Sequence, residues 1–278
     1  MTNPPRTYLQ GVPSWIDTEQ PDPDQAAEFY AALFGWEFHQ VTPAAAPVVY
    51  LVATLDGEDV AGLGGVPDGA TETAWNTYIA VDDADLSARR VEAAGGSIVV
   101  AAEDAGPGGR SATVADPAGA RFRLWQARRR LGAQIVNAPG SWNFSTLHTP
   151  DPDAALAFYG EVFGWEALGR DPGLGDVMVA VPGYGDHLEA TVDPDIRDRQ
   201  AFAPDRFEDV VAWVGSTSTG ETAGWKVQFT VADRDAVRTA AVAFGGTVVS
   251  TRDTDWTLEA LIEDPQGARF VASQFLGG

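Results

Sequence analysis

The chain has 278 residues, 45% of them apolar, and this length suffices for two domains with hydrophobic cores of ordinary size. Forty acidic against 18 basic residues give a formal net charge of −22, which opposes binding to nucleic acid or anionic membranes. The absence of cysteine excludes disulfides, thiolate nucleophiles and cysteine-ligated metals, and no apolar run reaches the roughly 18 residues of a membrane span. Because residues 1–10 also lack the apolar segment of a secretory signal, we expect a cytoplasmic protein.

An eight-residue segment occurs twice and indicates that the chain is duplicated. The segment Phe29–Trp36 (FYAALFGW) returns 129 residues later as Phe158–Trp165 (FYGEVFGW). A repeat at this distance indicates two homologous domains rather than a solenoid. Each copy has the apolar spacing of a short helix, and we interpret its aromatic residues as core. We expect an aspartate to cap the start of each helix and a glycine to end it: Asp24 and Gly35, then Asp153 and Gly164.

The first half of the sequence predicts two successive modules, each with one strand, one helix and three strands. The first module follows a loose arm at residues 1–10, and Asp56-Gly57 within it is a hairpin signal. The three glycines of 59–65 suggest close approach of another backbone or a bulge. The predicted strands are 14–19, 48–54, 59–65, 75–81, 97–102, 110–115 and 120–126, and the predicted helices end near Trp36 and cover 82–94.

The second half repeats this order after a linker at residues 128–140. Predicted strands cover 142–148, 177–181, 187–191, 225–231, 247–250, 258–263 and 268–275, and helices cover 153–163 and 234–244. The interval from Trp165 to Trp225 is longer than that from Trp36 to Trp75, so the second domain carries an insertion, which we place around 193–222. Its aromatic residues suit either a lid over a pocket or a surface elaboration. The domain boundaries are then 11–127 and 141–278.

The motifs of both halves resemble those of the vicinal oxygen chelate superfamily, the group of glyoxalases, bleomycin-resistance proteins and extradiol dioxygenases. The shared pattern is Asp-Pro-Asp-x-Ala-x-x-Phe-Tyr, then Phe-Gly-Trp, then a closing Asp-Pro-x-Gly-Ala, and it occurs in each half. The resemblance implies an α+β fold of two tandem glyoxalase-like domains. Each domain would contain two βαβββ modules that form a cup-shaped sheet, with the site in its concavity.

The resemblance also implies where a metal would be held. Metal-dependent members of the superfamily carry His or Glu at three strand positions of a domain. The matching residues in this sequence are Trp15, Asn76 and Arg123 in the first domain and Phe144, Lys226 and Val271 in the second. None has an imidazole or a carboxylate, so we expect cups without a metal cofactor. The alternative is a divalent metal held by offset residues, for which the candidates are Asp17, Glu19, His148, His187 and Glu189.

Three kinds of function remain open for such cups. The first is binding of a small aromatic or dicarbonyl molecule, for which the candidate contacts are Trp15, Glu19, Asn76, Tyr78, Arg123 and Gln228. The second is metal-independent catalysis, with Asp17 or Glu19 as general base and Arg123 as oxyanion stabiliser in the first domain. In the second domain Lys226 and His148 would form a base–electrophile pair. The third is metal-dependent chemistry of the glyoxalase, lyase or dioxygenase type. We expect a monomer or homodimer whose partner is a small molecule rather than nucleic acid or a membrane.

Overall fold

The computed structural model describes residues 5–43, 46, 48–66, 73–170 and 175–277 of the chain. It contains two eight-stranded mixed sheets with helices, which confirms the α+β class and the tandem arrangement. Residues 1–4 of the predicted arm lie outside the described residues. Within the described part of the chain, no helix is both long and apolar enough to cross a membrane.

The first domain forms two modules of the predicted kind. Its elements are β1 (Pro13–Gln20), α1 (Pro23–Phe34), β2 (Glu37–Gln40), β3 (Tyr50–Leu55), β4 (Glu58–Gly65), β5 (Ala74–Ala80), α2 (Ala84–Ala93), β6 (Ser97–Asp104), β7 (Gly109–Ala115) and β8 (Arg121–Ala127). The strand order is β2-β3-β4-β1-β5-β8-β7-β6. In each module the first strand pairs in parallel with the last, and the later strands pair as antiparallel hairpins. The β3–β4 turn has Asp56 and Gly57 at positive φ, as the hairpin signal predicts.

The second domain repeats the same sheet order with additional helices. Its elements are β9 (Ser141–Thr149), α3 (Pro152–Phe163), β10 (Glu166–Arg170), β11 (Val177–Ala180), α4 (Tyr184–Thr191), α5 (Ile196–Arg199), β12 (Val210–Ser216), β13 (Gly224–Thr230), α6 (Arg234–Ala243), β14 (Thr247–Asp253), β15 (Thr257–Glu263) and β16 (Arg269–Phe275). The strand order is β10-β11-β12-β9-β13-β16-β15-β14.

The prediction of a strand at 187–191 is wrong, because these residues belong to helix α4. The extra residues of the second domain begin earlier than the predicted range of 193–222. They connect β11 to β12 across positions 181–209, where the first domain has only the turn at Asp56-Gly57. The predicted range overlaps this connection at 193–209 and also includes strand β12, which pairs with β9 and β11. We call residues 181–209 the helical connection.

The N-cap of each signature helix lies two residues earlier than predicted. Asp22, not Asp24, caps α1 by accepting a hydrogen bond from the Gln25 backbone N–H at 3.0 Å, and Asp151 caps α3 in the same way. The proline that follows each aspartate occupies the first helical position, which suits its fixed φ and missing N–H. Gly35 and Gly164 end the helices in the left-handed conformation, as predicted.

The chain divides into two compact units, each built from segments of both sequence halves. Compact unit 1 comprises Met1–Ser14, Thr77–Gly132 and Ser145–Trp225; compact unit 2 comprises Trp15–Asn76, Ala133–Phe144 and Lys226–Gly278. The signature aromatic residues lie in the cores of these units, as we interpreted them. In compact unit 2 the Tyr30 ring contacts Trp36 and Phe270, and in compact unit 1 the Tyr159 ring contacts Trp165 and Phe122.

Each signature tyrosine also binds the aspartate of a closing turn. In compact unit 2, Tyr30 Oη donates to Asp264 Oδ2 at 2.8 Å, and Gln20 Nε2 donates to the same oxygen at 2.7 Å. In compact unit 1, Tyr159 Oη donates to Asp116 Oδ2 at 3.2 Å. The other carboxylate oxygen of each aspartate accepts two backbone N–H groups of its own turn. These aspartates therefore join turn formation to the packing of the signature helices.

Candidate functional site

Three of the predicted site residues meet in compact unit 2, around the carboxylate of Asp17. Asp17 is fully buried; its Oδ1 accepts from Asn76 Nδ2 at 2.9 Å and its Oδ2 from Tyr50 Oη at 3.0 Å. Tyr50 Oη in turn accepts from Trp15 Nε1 at 3.1 Å. The result is a continuous hydrogen-bonded chain from the Trp15 indole to the Asn76 amide. We call it the Asp17 network.

Two glycines of β4 make room for the Tyr50 ring. Gly62 pairs with Asp17 in the parallel register of β1 and β4, and a β-carbon at position 62 would overlap the Tyr50 hydroxyl. At Gly64 a β-carbon would lie 3.3 Å from Tyr50 Cδ2 and 3.5 Å from Glu19 Cγ. The sequence suggested close approach of another backbone or a bulge, whereas the structure places the Tyr50 side chain against these glycines. Glu19 is placed on the same face of β1 as Asp17, beside the Tyr50 ring.

Sequence reasoning missed Tyr50, which connects Trp15 to Asp17. The residue lies at the start of β3, in a run of apolar residues that reads only as a strand. Tyr50 and Asn76 are both partly exposed, whereas Asp17 has no exposed surface. Tyr50 and Asn76 are therefore the members of the network that a small molecule in the solvent would reach first.

Tyr78 and Arg123 form a second set of predicted residues, within compact unit 1. They are register partners on β5 and β8. Arg123 Nη1 donates to Tyr78 Oη at 2.7 Å, and the guanidinium carbon lies 5.4 Å from the centre of the Tyr78 ring. Trp125 contacts Tyr78 edge to face at 6.2 Å. The set presents a cation held on an aromatic surface.

The matching positions of the second domain carry different groups. Gln228 pairs with Val271 on β13 and β16, where the first domain has Tyr78 and Arg123. His148 Nδ1 lies 4.0 Å from Glu221 Oε2, which is beyond hydrogen-bonding distance. His148 belongs to compact unit 1 and Lys226 to compact unit 2, so their proposed pairing as base and electrophile stays a prediction.

The donor set does not fit a divalent metal at the positions that the resemblance implies. Trp15 and Asn76 are engaged in the Asp17 network, and both oxygens of Asp17 accept hydrogen bonds. Two of the offset candidates are engaged elsewhere: His187 Nε2 lies 3.1 Å from the Thr7 carbonyl oxygen, and Glu189 pairs with Arg197. Among the residues that the structure describes, no group of three His, Asp or Glu side chains is placed to hold a metal ion.

The N-terminal arm differs from the loose segment that the sequence predicts. Within compact unit 1, Arg6 Nη2 donates to Tyr184 Oη at 3.1 Å, and Thr7 contacts His187. The Arg6 guanidinium carbon lies 5.5 Å from the centre of the Tyr8 ring. Residues 6–8 therefore pack against helix α4, the first helix of the helical connection.

Comparison with known families and proteins agrees with the observed modules. The model of the family described as "Glyoxalase-like domain" matches residues 15–125 and 144–272. CFP32 of Mycobacterium tuberculosis, which carries a provisional glyoxylase name, is 34% identical over 95% of this chain and 94% of its own length. The anthracycline biosynthesis protein DnrV of Streptomyces peucetius is 32% identical over 98% of this chain and 96% of its own.

Solved structures with the same fold are more distant in sequence. The Mn(II)-bound glyoxalase of Novosphingobium aromaticivorans has a TM-score of 0.60 at 15% identity and covers 96% of this chain and 83% of its own. The 2,3-dioxygenase LapB of Pseudomonas sp. KL28 also has a TM-score of 0.60, at 14% identity, over 98% of this chain and 94% of its own. At these identities the likeness extends to the fold alone.

Proposed function

We propose that this chain, which belongs to the glyoxalase-like domain family, binds a small aromatic molecule at the Asp17 network of its first domain. The observation that carries the proposal is the hydrogen-bonded chain from Trp15 through Tyr50 and Asp17 to Asn76. It combines two aromatic side chains with a buried, fixed polar anchor, which is the composition typical of small-molecule sites.

Two observations support an aromatic ligand with hydroxyl groups. The Tyr50 ring is fixed on its glycine neighbours, so it offers a planar surface at little entropic cost. Relatives that match almost the whole chain are named for anthracycline biosynthesis, and anthracyclines are flat, hydroxylated polycyclic compounds. A hydroxyl group of such a ligand would donate to Tyr50 Oη, whose own proton is held by the buried Asp17 carboxylate.

The first domain is the better candidate for binding because its Gly62 has no counterpart in the second. The register partner of Asp17 is Gly62, whereas the residue paired with the equivalent Thr146 is Trp213. The position that is occupied by glycine in the first domain, and that accommodates the Tyr50 ring, therefore carries a large side chain in the second. Thr146 also lacks the charge of Asp17. The second domain therefore offers no copy of the Asp17 network.

We infer that binding needs no metal, since the side chains at the metal-ligand positions are unsuited to one. Elemental analysis of protein purified without a metal-affinity tag tests this inference. Less than about a tenth of an equivalent of Mn, Fe, Zn, Ni or Co per chain is expected, because built metal sites retain their ions. A full equivalent would contradict it and favour the metal-dependent alternative with the offset ligands Asp17, Glu19 or His148.

Metal-independent proton transfer is a second candidate, favoured by the hydrogen bond of 3.0 Å from Tyr50 Oη to Asp17 Oδ2. A ligand group beside Tyr50 Oη would transfer its proton to that oxygen while Tyr50 passes its own proton to Asp17. This step predicts exchange of an acidic ligand hydrogen with D₂O in the presence of the wild-type protein and not of Tyr50→Phe. Binding without such exchange would contradict proton transfer and leave binding as the function of the site.

Calorimetric titration with 1,4-dihydroxyanthraquinone tests the binding proposal. We expect one saturable site per chain, with affinity about tenfold lower in Asp17→Asn, since a hydrogen bond to a charged group contributes about 1.5 kcal/mol. Thr146→Val is the matched control at the equivalent position of the second domain and should bind as the wild type does. Equal affinity of wild type and Asp17→Asn would contradict the proposal, as would a loss confined to Thr146→Val.

A further inference from the structure

A cavity of about 300 Å³ lies beneath the N-terminal arm, within compact unit 1. It is lined by Thr7, Tyr8, Gln10, Ala80, Val81, Asp82, Trp125, Gln126, Ala127 and Leu131. None of these residues belongs to the Asp17 network. The volume is at the lower end of the range for small-molecule sites, enough for a single aromatic ring with a polar substituent.

The wall that the arm provides is fixed at several points. Gly11 N donates to the Ala80 carbonyl at 2.8 Å, and Gln10 Oε1 accepts from the Asp82 backbone N–H at 2.7 Å. Tyr8 packs against Gly132, where a β-carbon would lie only 2.7 Å from its ring. Since the arm is held on both sides of Tyr8, the cavity is a preformed feature rather than a gap beneath a loose end.

The cavity also has an orienting set of polar groups. Gln126 Oε1 accepts from the Ala84 backbone N–H at the start of α2, at 3.1 Å. Gln10 Oε1 accepts from the Asp82 backbone N–H in the same way. Because the side-chain oxygens of Gln10 and Gln126 accept these hydrogen bonds, the side-chain amide nitrogens of the two residues are the groups that would donate to a ligand. Trp125 Nε1 donates to the Arg130 carbonyl at 2.9 Å, which fixes the indole ring in the wall.

We propose that this cavity binds a small planar molecule that carries a carbonyl-type acceptor and is neutral or positively charged. The acceptor would receive hydrogen bonds from the amide nitrogens of Gln10 and Gln126, and the ring would lie against Trp125. The carboxylate of Asp82 in the wall, together with the acidic charge of the chain, selects against anions. The inference stands on residues of compact unit 1 alone and does not depend on the proposed function.

Three planar molecules that each carry a carbonyl or carboxylate oxygen test the charge preference: neutral benzamide, the cation 1-methylnicotinamide and the anion benzoate. Titration followed by ¹H–¹⁵N NMR should shift the Trp125 indole N–H and the side-chain amides of Gln10 and Gln126. We expect benzamide and 1-methylnicotinamide to saturate these shifts and benzoate to bind at least tenfold more weakly. Benzamide that shifts none of the three groups, or benzoate that binds as well as benzamide, would overturn the proposal.

A Gln126→Glu variant tests the donor role without disturbing the helix cap. Glutamate retains an oxygen for the Ala84 N–H but replaces the donating amide, so benzamide affinity should fall about three- to tenfold. The 1-methylnicotinamide cation should bind more tightly, because its positive charge gains a carboxylate. The matched control is Gln274→Glu, since Gln274 Oε1 caps α6 through the Arg234 N–H at 2.9 Å in the same way. Equal effects of the two variants would show that the cap, not the cavity, is responsible.

Asp17→Asn separates this cavity from the proposed function. We expect the variant to lose affinity for 1,4-dihydroxyanthraquinone and to keep its benzamide shifts at Trp125. A loss of both would assign the benzamide effect to the Asp17 network and reject the cavity as a site of its own.

Discussion

At the scale of single residues, the Tyr50 ring depends on the absence of a side chain at position 62. A Gly62→Ala methyl group would overlap the Tyr50 hydroxyl and lie 2.9 Å from Asp17 Cβ. We expect it to lower the free energy of unfolding by about 1–3 kcal/mol, as overpacking does, and to abolish binding of 1,4-dihydroxyanthraquinone. Urea denaturation and calorimetry measure the two effects.

Gly64→Ala is the matched control, because the new methyl group would make contacts of 3.3 Å and longer. It should cost less stability than Gly62→Ala and leave Asp17 in place. If the two variants bind 1,4-dihydroxyanthraquinone equally well, the position of Tyr50 against Gly62 is not needed for binding. The Asp17 network is then not the anchor of the ligand.

The two closing-turn aspartates are expected to respond differently to replacement by asparagine. Asp264 Oδ2 accepts from both Tyr30 and Gln20, so Asp264→Asn leaves a buried donor without an acceptor. We expect a loss of about 1–3 kcal/mol in the free energy of unfolding. Among the described residues Tyr159 is the side chain that donates to Asp116 Oδ2, and its hydroxyl oxygen can accept from an asparagine amide, so Asp116→Asn should cost less. Equal losses in urea denaturation would contradict this account.

Asp116 also predicts a pH dependence of stability. Burial raises the pKa of its carboxyl group above the ordinary 3.8, although turn N–H groups and Tyr159 oppose the shift. The native state therefore holds a proton that the unfolded chain releases. The free energy of unfolding should fall as pH rises from about 3.8 to the pKa of the folded state. Above that pKa, Asp116 should cause no further fall. Asp116→Asn should remove this slope from the pH dependence of the free energy of unfolding; an unchanged slope would assign it to other groups.

The residues of the site were only partly predictable from sequence. Trp15 and Asp17 share a face because strand side chains alternate, and this period is visible in the sequence. Tyr50 joins them through the β3–β4–β1 register, a relation between segments more than 30 residues apart. The only local signal of it was the glycine content of β4. Sequence periodicity therefore places side chains on a face, whereas the contacts between strands decide which of them meet.

At the scale of elements, the repeated Asp-Pro-Asp motif assigns different tasks to its two aspartates. Asp22 and Asp151 cap their helices, whereas Asp24 and Asp153 lie in the first turn without that bond. We expect Asp22→Ala to lower the free energy of unfolding by about 1 kcal/mol, and Asp24→Ala to have a smaller effect through the helix dipole. Thermal denaturation of Asp22→Ala and Asp24→Ala, each compared with the wild type, measures the difference in stability between the two variants. A larger effect of Asp24→Ala than of Asp22→Ala would indicate that Asp24, the residue predicted from sequence, caps the helix.

Elements that depend on local patterns were predicted, and those that depend on distant partners were not. Helix α4 forms where a strand was expected: the Gly185 backbone N–H in its first turn donates to Asp209, 24 residues away, at 2.8 Å. The short strands β2 and β10 lie at sheet edges with mostly exposed residues, so they lack the apolar alternation that reveals a strand. Their existence follows from pairing with β3 and β11 rather than from their own composition.

At the scale of the whole molecule, each compact unit takes its segments from both sequence halves. Compact unit 1 needs α3 of the second half to bury Tyr159 against Phe122 and Asp116 of the first. Compact unit 2 likewise needs Asp264 and Phe270 of the second half around Tyr30 of the first. Neither half of the chain therefore contains a complete core, although each contains a complete family domain by sequence.

This arrangement predicts how the chain behaves when it is cut at the linker. Fragments 1–140 and 141–278, expressed separately, should not unfold cooperatively as monomers, because each leaves its signature tyrosine without the aspartate that it binds in the intact chain. Mixed after denaturation, they should form a 1:1 complex with the circular dichroism spectrum and the 1,4-dihydroxyanthraquinone affinity of the intact chain. Analytical ultracentrifugation with thermal denaturation measures both outcomes. Two stable monomeric fragments would show instead that each family domain folds alone, and that the contacts of Tyr30 and Tyr159 are accessory to the core.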